Sequence, residues 1–271
     1  MKKERYGFED LVEIMKKLRS PDGCPWDREQ THESLKEYFI EETYEVLEAI
    51  DLKSPEKLCE ELGDVLLQVI FHATIAEENG QFTIYDVVDG ISRKMVHRHQ
   101  HVFGKEHAET AADVLNLWDK IKKEEKGTKT QTDILKSVPA NLPALMRSYK
   151  VQEKAAKVGF DWDNAEDAWK KVKEEMEEFH EACRSGDMDK TEEELGDLLF
   201  AIVNVSRFLK IQPELALTKT INKFIKRFEY IETKSSENGK KLTDMTLQEM
   251  DALWDEAKKL EDKRGDNDEN R

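Results

Sequence analysis

Apolar residues recur every three to four positions along most of this chain. Phe8, Leu11, Val12, Ile14, Met15 and Leu18 share one face, which predicts an amphipathic helix from Phe8 to Arg19. Ser20-Pro21-Asp22-Gly23 reads as a turn, and Cys24-Pro25-Trp26-Asp27 follows it with Trp26 as a core or ligand anchor. A second helix is expected from Thr31 to Ile50. Ser54 caps a third, with Pro55 at its first position and Asn79-Gly80 as its stop. Thr83 starts a fourth that reaches His101. Later segments follow the same plan: Ala144 to Val158, a helix capped by Asn164 through Cys183, a turn at Ser185-Gly186-Asp187, and a helix opened by Pro213. Six prolines, twelve glycines and few β-like alternations make this an all-α protein.

Polar positions interrupt the apolar pattern twice in the same way. Glu41-Glu42-Thr43-Tyr44-Glu45 precedes Glu61-Leu62-Gly63-Asp64, and Glu174-Glu175-Met176-Glu177-Glu178 precedes Glu194-Leu195-Gly196-Asp197. The two sets are offset by a constant 133 residues (175 − 42 and 197 − 64). A fixed-period self-match resets the domain count, so the chain contains two copies of one unit. At 100° per residue, Glu45, Tyr38, Val46 and Ala49 lie within roughly 60° of Glu42, so these carboxylates share the apolar stripe. The helix carrying Glu61 and Asp64 is apolar nearly all round, which predicts burial. Four carboxylates converging between two helices repel one another and need a cation; all-oxygen ligation suits Mg²⁺ or Mn²⁺. Gly63 and Gly196, each costing about 1 kcal/mol in a helix, suggest a close approach to the backbone there.

Cations repeat as well. Lys94 and Arg98 stand four apart, as do Lys223 and Arg227; Trp118 and Lys122 are answered by Trp254 and Lys258. Beside a carboxylate-bound metal, such cations fit a polyphosphate ligand. The polar stretch Lys126 to Thr132 reads as an uncapped linker. The expected layout is residues 1–125 and 141–262 as domains, 126–140 as the connection and 263–271 as a disordered tail.

Composition narrows the partners. With 59 acidic against 43 basic residues, the net charge is −16, and no basic stripe supports nucleic-acid binding. Cys24, Cys59 and Cys183 read as reduced thiols of a cytoplasmic protein, no leader is expected, and no run approaches the ~18 apolar residues of a membrane span. His97, His99 and His101 have no counterparts in the second copy, and Glu29-x-x-His32 and Glu177-x-x-His180 are not repeat equivalents, so zinc and di-iron readings are weak.

The doubled Glu-Glu-x-x-Glu with Glu-x-x-Asp resembles the all-α nucleoside triphosphate pyrophosphohydrolases, the superfamily of dimeric dUTPases and phosphoribosyl-ATP pyrophosphohydrolase. Cys24-Pro25-Trp26-Asp27, Glu41 to Val46, Leu142 to Met146 and Val158 to Trp162 resemble segments of its two-domain MazG family. The resemblance implies tandem helical-bundle domains, each pairing into a four-helix-type core in a homodimer. It implies Mg²⁺-dependent hydrolysis of NTPs or dNTPs to monophosphate and pyrophosphate, with the second domain the main hydrolase. Metal ligands would fall on Glu175, Glu178, Glu194 and Asp197, with Glu42, Glu45, Glu61 and Asp64 as first-copy equivalents. Nucleotide contacts would fall on Glu174, Lys223, Arg227, Trp254 and Lys258, and on Lys94, Arg98, Trp118 and Lys122 in the first copy. Glu175 and Glu178 are the catalytic candidates, with Glu178 the favoured general base. The alternative is a non-catalytic nucleotide and metal sensor that signals to a regulatory protein partner.

Overall fold

The computed structural model describes residues 3–111, 113–114, 117–118, 121 and 130–268, with 262–268 described by backbone alone. Every regular element among the described residues is helical. Contacts divide the chain into two compact units, Met1–Lys126 and Gly127–Arg271.

Unit 1 contains α1 (Phe8–Arg19), α2 (Pro25–Glu29), α3 (Lys36–Asp51), α4 (Pro55–Glu78), α5 (Ile84–Arg98) and α6 (Gln100–Phe103). Its axis is α4, against which α1, α3 and α5 pack. Val12 and Met15 from α1, Leu35 before α3, Ile70, Phe71 and Ala73 from α4 and Ile84 from α5 form the core. Local chemistry sets the ends. The Ser54 hydroxyl accepts from the Lys57 amide at the start of α4, a simple cap. Thr83 and Asp86 exchange bonds in a capping box that opens α5. The helix expected from Thr31 begins only at Lys36, because residues 32–35 form turns in which Ser34 and Thr31 bond each other's backbone.

Unit 2 contains α7 (Gln131–Lys136), α8 (Ala144–Ala156), α9 (Ala165–Ser185), α10 (Met188–Phe208), α11 (Pro213–Glu237) and α12 (Leu247–Asp268). The α9–α10 hairpin is its most extensive pairing; α8 packs on α10, and α11 pairs with α12. Ala168 and Val172 of α9 meet Ala201 and Val205 of α10 in its core. Asn164 caps α9, Gly186 at φ +75° ends it, and the Asp187 carboxylate caps α10.

Three expectations change. Within the expected connection, Thr130 caps α7 through a capping box with Asp133, so 131–136 is helical; Lys126 to Lys129 lie outside the described residues. Helical backbone reaches Asp268, past the start of the expected tail. Burial of the second acidic helix is partial. Gln68 to Ala76 carries the buried residues of α4, whereas Leu62 and Leu66 are exposed, as are Leu195, Leu199 and Phe200 on α10. Those apolar faces have no cover within their own unit.

Candidate active site: a carboxylate cluster in each unit

Antiparallel pairing of α9 and α10 brings residues nineteen apart face to face. Glu175, Glu194 and Asp197 each place a carboxylate oxygen within 4.8 Å of the others. Glu175 is buried, at 6% exposure. Glu178, one turn further along α9, stands outside that triad. Desolvation, and then the charges of Glu175 and Glu194, raise its pKa above the ordinary carboxylate value. In unit 1 the α3–α4 hairpin gathers Glu42, Glu45 and Glu61 within the same distance. Burial raises the Glu42 pKa, with Asp64 and Glu45 adding repulsion, and desolvation followed by Glu45 raises that of Glu61. Each expected set of four therefore resolves into a triad and a neighbour, and the member left out differs between units.

The donor set suits a hard cation. Octahedral Mg²⁺ with bonds of ~2.1 Å separates its ligand oxygens by roughly 3 to 4 Å, so small side-chain rotations would close either triad on the ion. A side chain that sequence reasoning passes over supports this. Lys171 Nζ lies 2.7 Å from Glu175 Oε1 and 2.7 Å from Glu174 Oε1, an ammonium between one member of the triad and its exposed neighbour. Those two glutamates raise its pKa. The signal is local: Lys171 precedes Glu175 by four, one helical turn.

Gly63 and Gly196 lie on α4 and α10 beside these clusters. A Cβ on either would meet nothing within 4 Å, so this chain's own atoms make no close approach there. Arg227 on α11 is bound to Glu261 of α12 at 2.7 Å and lies 5.3 Å above the Trp254 ring, which also packs on Phe224. Lys258 is 3.6 Å from Asp255, and Lys223 is exposed. Among the described residues, no hydrogen bond or ion pair joins Lys223, Arg227, Trp254 or Lys258 to the triad. In unit 1, Lys94 is exposed, Trp118 packs edge-on against His99 at 4.9 Å, and Lys122 lies outside the described residues. His32 stacks on His72 with Nδ1 atoms 2.8 Å apart, and Trp26 is half-exposed with its ring edge-on to Tyr38.

The description "MazG nucleotide pyrophosphohydrolase domain" matches residues 30–103 and 164–231, one match on each acidic hairpin. The chain belongs to the MazG family. Relatives agree along its length. It is 48% identical over 258 residues to "Nucleoside triphosphate pyrophosphohydrolase/pyrophosphatase MazG" of Thermotoga maritima, covering 95% of this chain and 98% of that protein. It is 44% identical over 254 residues to the "Nucleoside triphosphate pyrophosphohydrolase" of Escherichia coli K12, covering 93% and 97%. It is also 54% identical over 255 residues to "Uncharacterized protein YabN" of Bacillus subtilis, spanning 94% of this chain but only 52% of YabN. MazG-family chains can thus form part of longer proteins.

Proposed function

We propose that this MazG-family pyrophosphohydrolase works mainly through the unit 2 cluster, with Mg²⁺ (or Mn²⁺), on a broad range of NTPs and dNTPs. The reaction is hydrolysis of a nucleoside triphosphate to its monophosphate and pyrophosphate. The observation carrying this reading is the Glu175–Glu194–Asp197 triad, three oxygen ligands within 4.8 Å of one another on the hairpin that the family description covers.

Bound Mg²⁺ would acidify a water and neutralise phosphate oxygens. The remaining work falls to side chains. Glu175, Glu194 and Asp197 would hold the ion, and Lys171, beside Glu175 and Glu174, would offer its ammonium to phosphate oxygens. Glu178, outside the triad and with its pKa already raised, accepts the proton of the attacking water as that water bonds to phosphorus. The phosphoanhydride oxygen leaves with pyrophosphate.

The exposed apolar side chains of α10 and of α11 (Leu217, Ile221, Phe224 and Ile225 among them) support a homodimer, since so many large apolar side chains on two helices call for cover. A second copy would also be placed to bring Lys223 and Arg227 to a cluster. No described helix is long and apolar enough to cross a membrane, and the acidic charge suits a cytoplasmic enzyme acting on nucleotides. Pyrophosphate release from a panel of NTPs and dNTPs tests the reading. Mg²⁺ should support turnover of every base, EDTA should abolish it, and Glu175→Gln should lose it while keeping its helical circular dichroism. A wild-type chain that binds nucleotide and metal but releases no pyrophosphate would instead be a sensor acting through a protein partner.

A further inference from the structure

Unit 1 contains a polar contact where unit 2 has an apolar core. At the 133 offset, Gln68 and His72 of α4 stand where Ala201 and Val205 stand on α10, and those two belong to the unit 2 core. Gln68 is buried, with no partner for its Oε1 among the described residues. The half-buried His72 meets His32, with their Nδ1 atoms 2.8 Å apart. Polar groups at core positions cost stability, so these call for a role that Ala and Val cannot fill.

The stretch holding His32 is also longer in unit 1. Trp26 and Leu35 are nine apart (35 − 26), whereas Trp162 and Ala168 are six apart (168 − 162), so unit 1 has three extra residues there. The helices that follow begin differently. Asn164 caps α9 by accepting from the Asp167 amide. By contrast, α3 begins at Lys36 with no side-chain hydrogen bond at its N-cap, Leu35. The bond between His32 and His72 ties this stretch to α4 instead.

That bond needs one proton. Two bare ring nitrogens at this distance repel, and two N–H groups collide. The ring centres are 5.1 Å apart, so each Nδ1 lies near the line joining them and aims at the other; two ligands of one metal would aim at a third point. Desolvation, and then the charge of His32, hold the His72 pKa below the ordinary imidazole value, which makes His72 the neutral acceptor and His32 the donor. The bond survives a positive His32 and fails once His72 is protonated as well. Neighbouring charges are engaged elsewhere. Arg19 of α1 is bound to Glu78 and to the carbonyl oxygens of Asp27 and Gln30. Glu33 is held below the usual carboxylate range by a backbone amide and Thr31, and then by Lys36 and His32. From α3, the Phe39 ring centre lies 6.0 Å from that of His72, and the unit core adds apolar Val12, Met15 and Ile84.

We propose that His32 and His72 form a one-proton clasp that fastens the entry to α3, the helix carrying Glu42 and Glu45, and opens on acidification, while unit 2 has no such device. The sign follows from the neutral acceptor. Clasp stability is fully present above the ordinary histidine value of about 6.5 and is lost as pH falls from there through the lowered His72 value. The clasp is independent of which carboxylate cluster turns over substrate.

Amide hydrogen exchange in the full chain, corrected for its intrinsic pH dependence, tests this. The Leu35, Lys36 and Phe39 amides donate to the carbonyl oxygens of Thr31, Glu33 and Leu35. Their protection should fall about tenfold from pH 7.5 to pH 5.5, the most that one linked proton allows across this window. The Ala168 amide, the unit 2 equivalent of Leu35, should keep its protection. His72→Val, which installs the unit 2 residue, should make the Leu35, Lys36 and Phe39 protection independent of pH. Nitrogen-15 spectra of the wild-type imidazoles decide the point without any variant: at pH 7.5 one Nδ1 of the pair should carry a proton and the other should be bare. Constant protection in the wild type, an equal fall in His72→Val or at Ala168, or two Nδ1 atoms in the same protonation state at pH 7.5 each overturns the clasp.

Discussion

The two units build the same carboxylate hairpin and surround it differently. Glu42, Glu45 and Glu61 in one and Glu175, Glu194 and Asp197 in the other each place carboxylate oxygens within 4.8 Å of one another. At the position 133 residues before Lys171, unit 1 has Tyr38, whose ring packs edge-on against Trp26. No ion pair among the described residues reaches Glu42, Glu45 or Glu61, whereas the unit 2 triad carries its own ammonium. Unit 1 places Arg19 over Phe71, whereas unit 2 has Ala155 and Asn204 at the corresponding positions, beside a cavity of about 450 Å³. Metal ligation needs a few oxygens at one spacing, which a repeated hairpin supplies by itself. Accommodating a nucleotide needs more than the hairpin, and the side chains around it differ between the units at several positions, Arg19 against Ala155 and Phe71 against Asn204 among them.

The largest expected effect tests which unit turns over substrate. Glu175→Gln/Glu178→Gln in the full chain should cut pyrophosphate release by at least roughly 100-fold, because both metal ligation and proton transfer are lost. Glu42→Gln/Glu45→Gln should retain most of the rate. Loss with the first-unit pair alone, in steady-state assays on folded protein, would reverse the comparison.

A tenfold effect is expected from the lysine. Metal entering unit 2 must displace Lys171 from Glu175, so Lys171→Met should tighten Mn²⁺ binding there about tenfold in the absence of nucleotide. Tyr38→Lys should weaken binding in unit 1 by a similar factor. Equal Mn²⁺ affinities in wild type and both variants, measured by electron paramagnetic resonance, would mean that the ammonium does not compete with the ion.

The smallest effect concerns protons. The raised pKa of Glu178 means that the folded chain holds this proton more tightly than the unfolded chain does. Its ionised form therefore costs stability above the raised value, and the cost fades as pH falls through that value and is gone below the ordinary carboxylate range. Glu178→Gln should raise the melting temperature slightly in EDTA at pH 7 and leave it unchanged near pH 4. A gain that persists at pH 4 would point to packing and not to charge repulsion.

Much of the site is legible in the amino-acid sequence because its signals are short-range. Ser54, Thr83, Asn164 and Asp187 cap the helices that follow them, and acidic residues three apart share a face whatever the rest of the chain does. Helix ends are less legible. Thr31 to Leu35 satisfies its polar groups in turns, and Thr130 caps a helix inside what reads as linker. Partial burial of α4 and α10 is out of reach, because an apolar run reports that cover is needed and not which molecule provides it. The pairing of Arg227 with Glu261 and its place over Trp254 are equally hidden; their spacing describes one hairpin, α11–α12, and says nothing of how its side chains choose partners.

By itself, the sequence determined an all-α chain of two copies, the carboxylates of each and the helices that carry them, since periodicity, capping and a constant offset act within a few turns of backbone. Tertiary structure alone decided which three carboxylates of each four converge, that Glu175 is buried with Lys171 as its ion-pair partner, and that Gln152 keeps a buried acceptor without a partner. Those outcomes depend on how α8, α9 and α10 lie against one another. Side chains separated by tens of residues meet there, and how they fill space depends on which of them face one another.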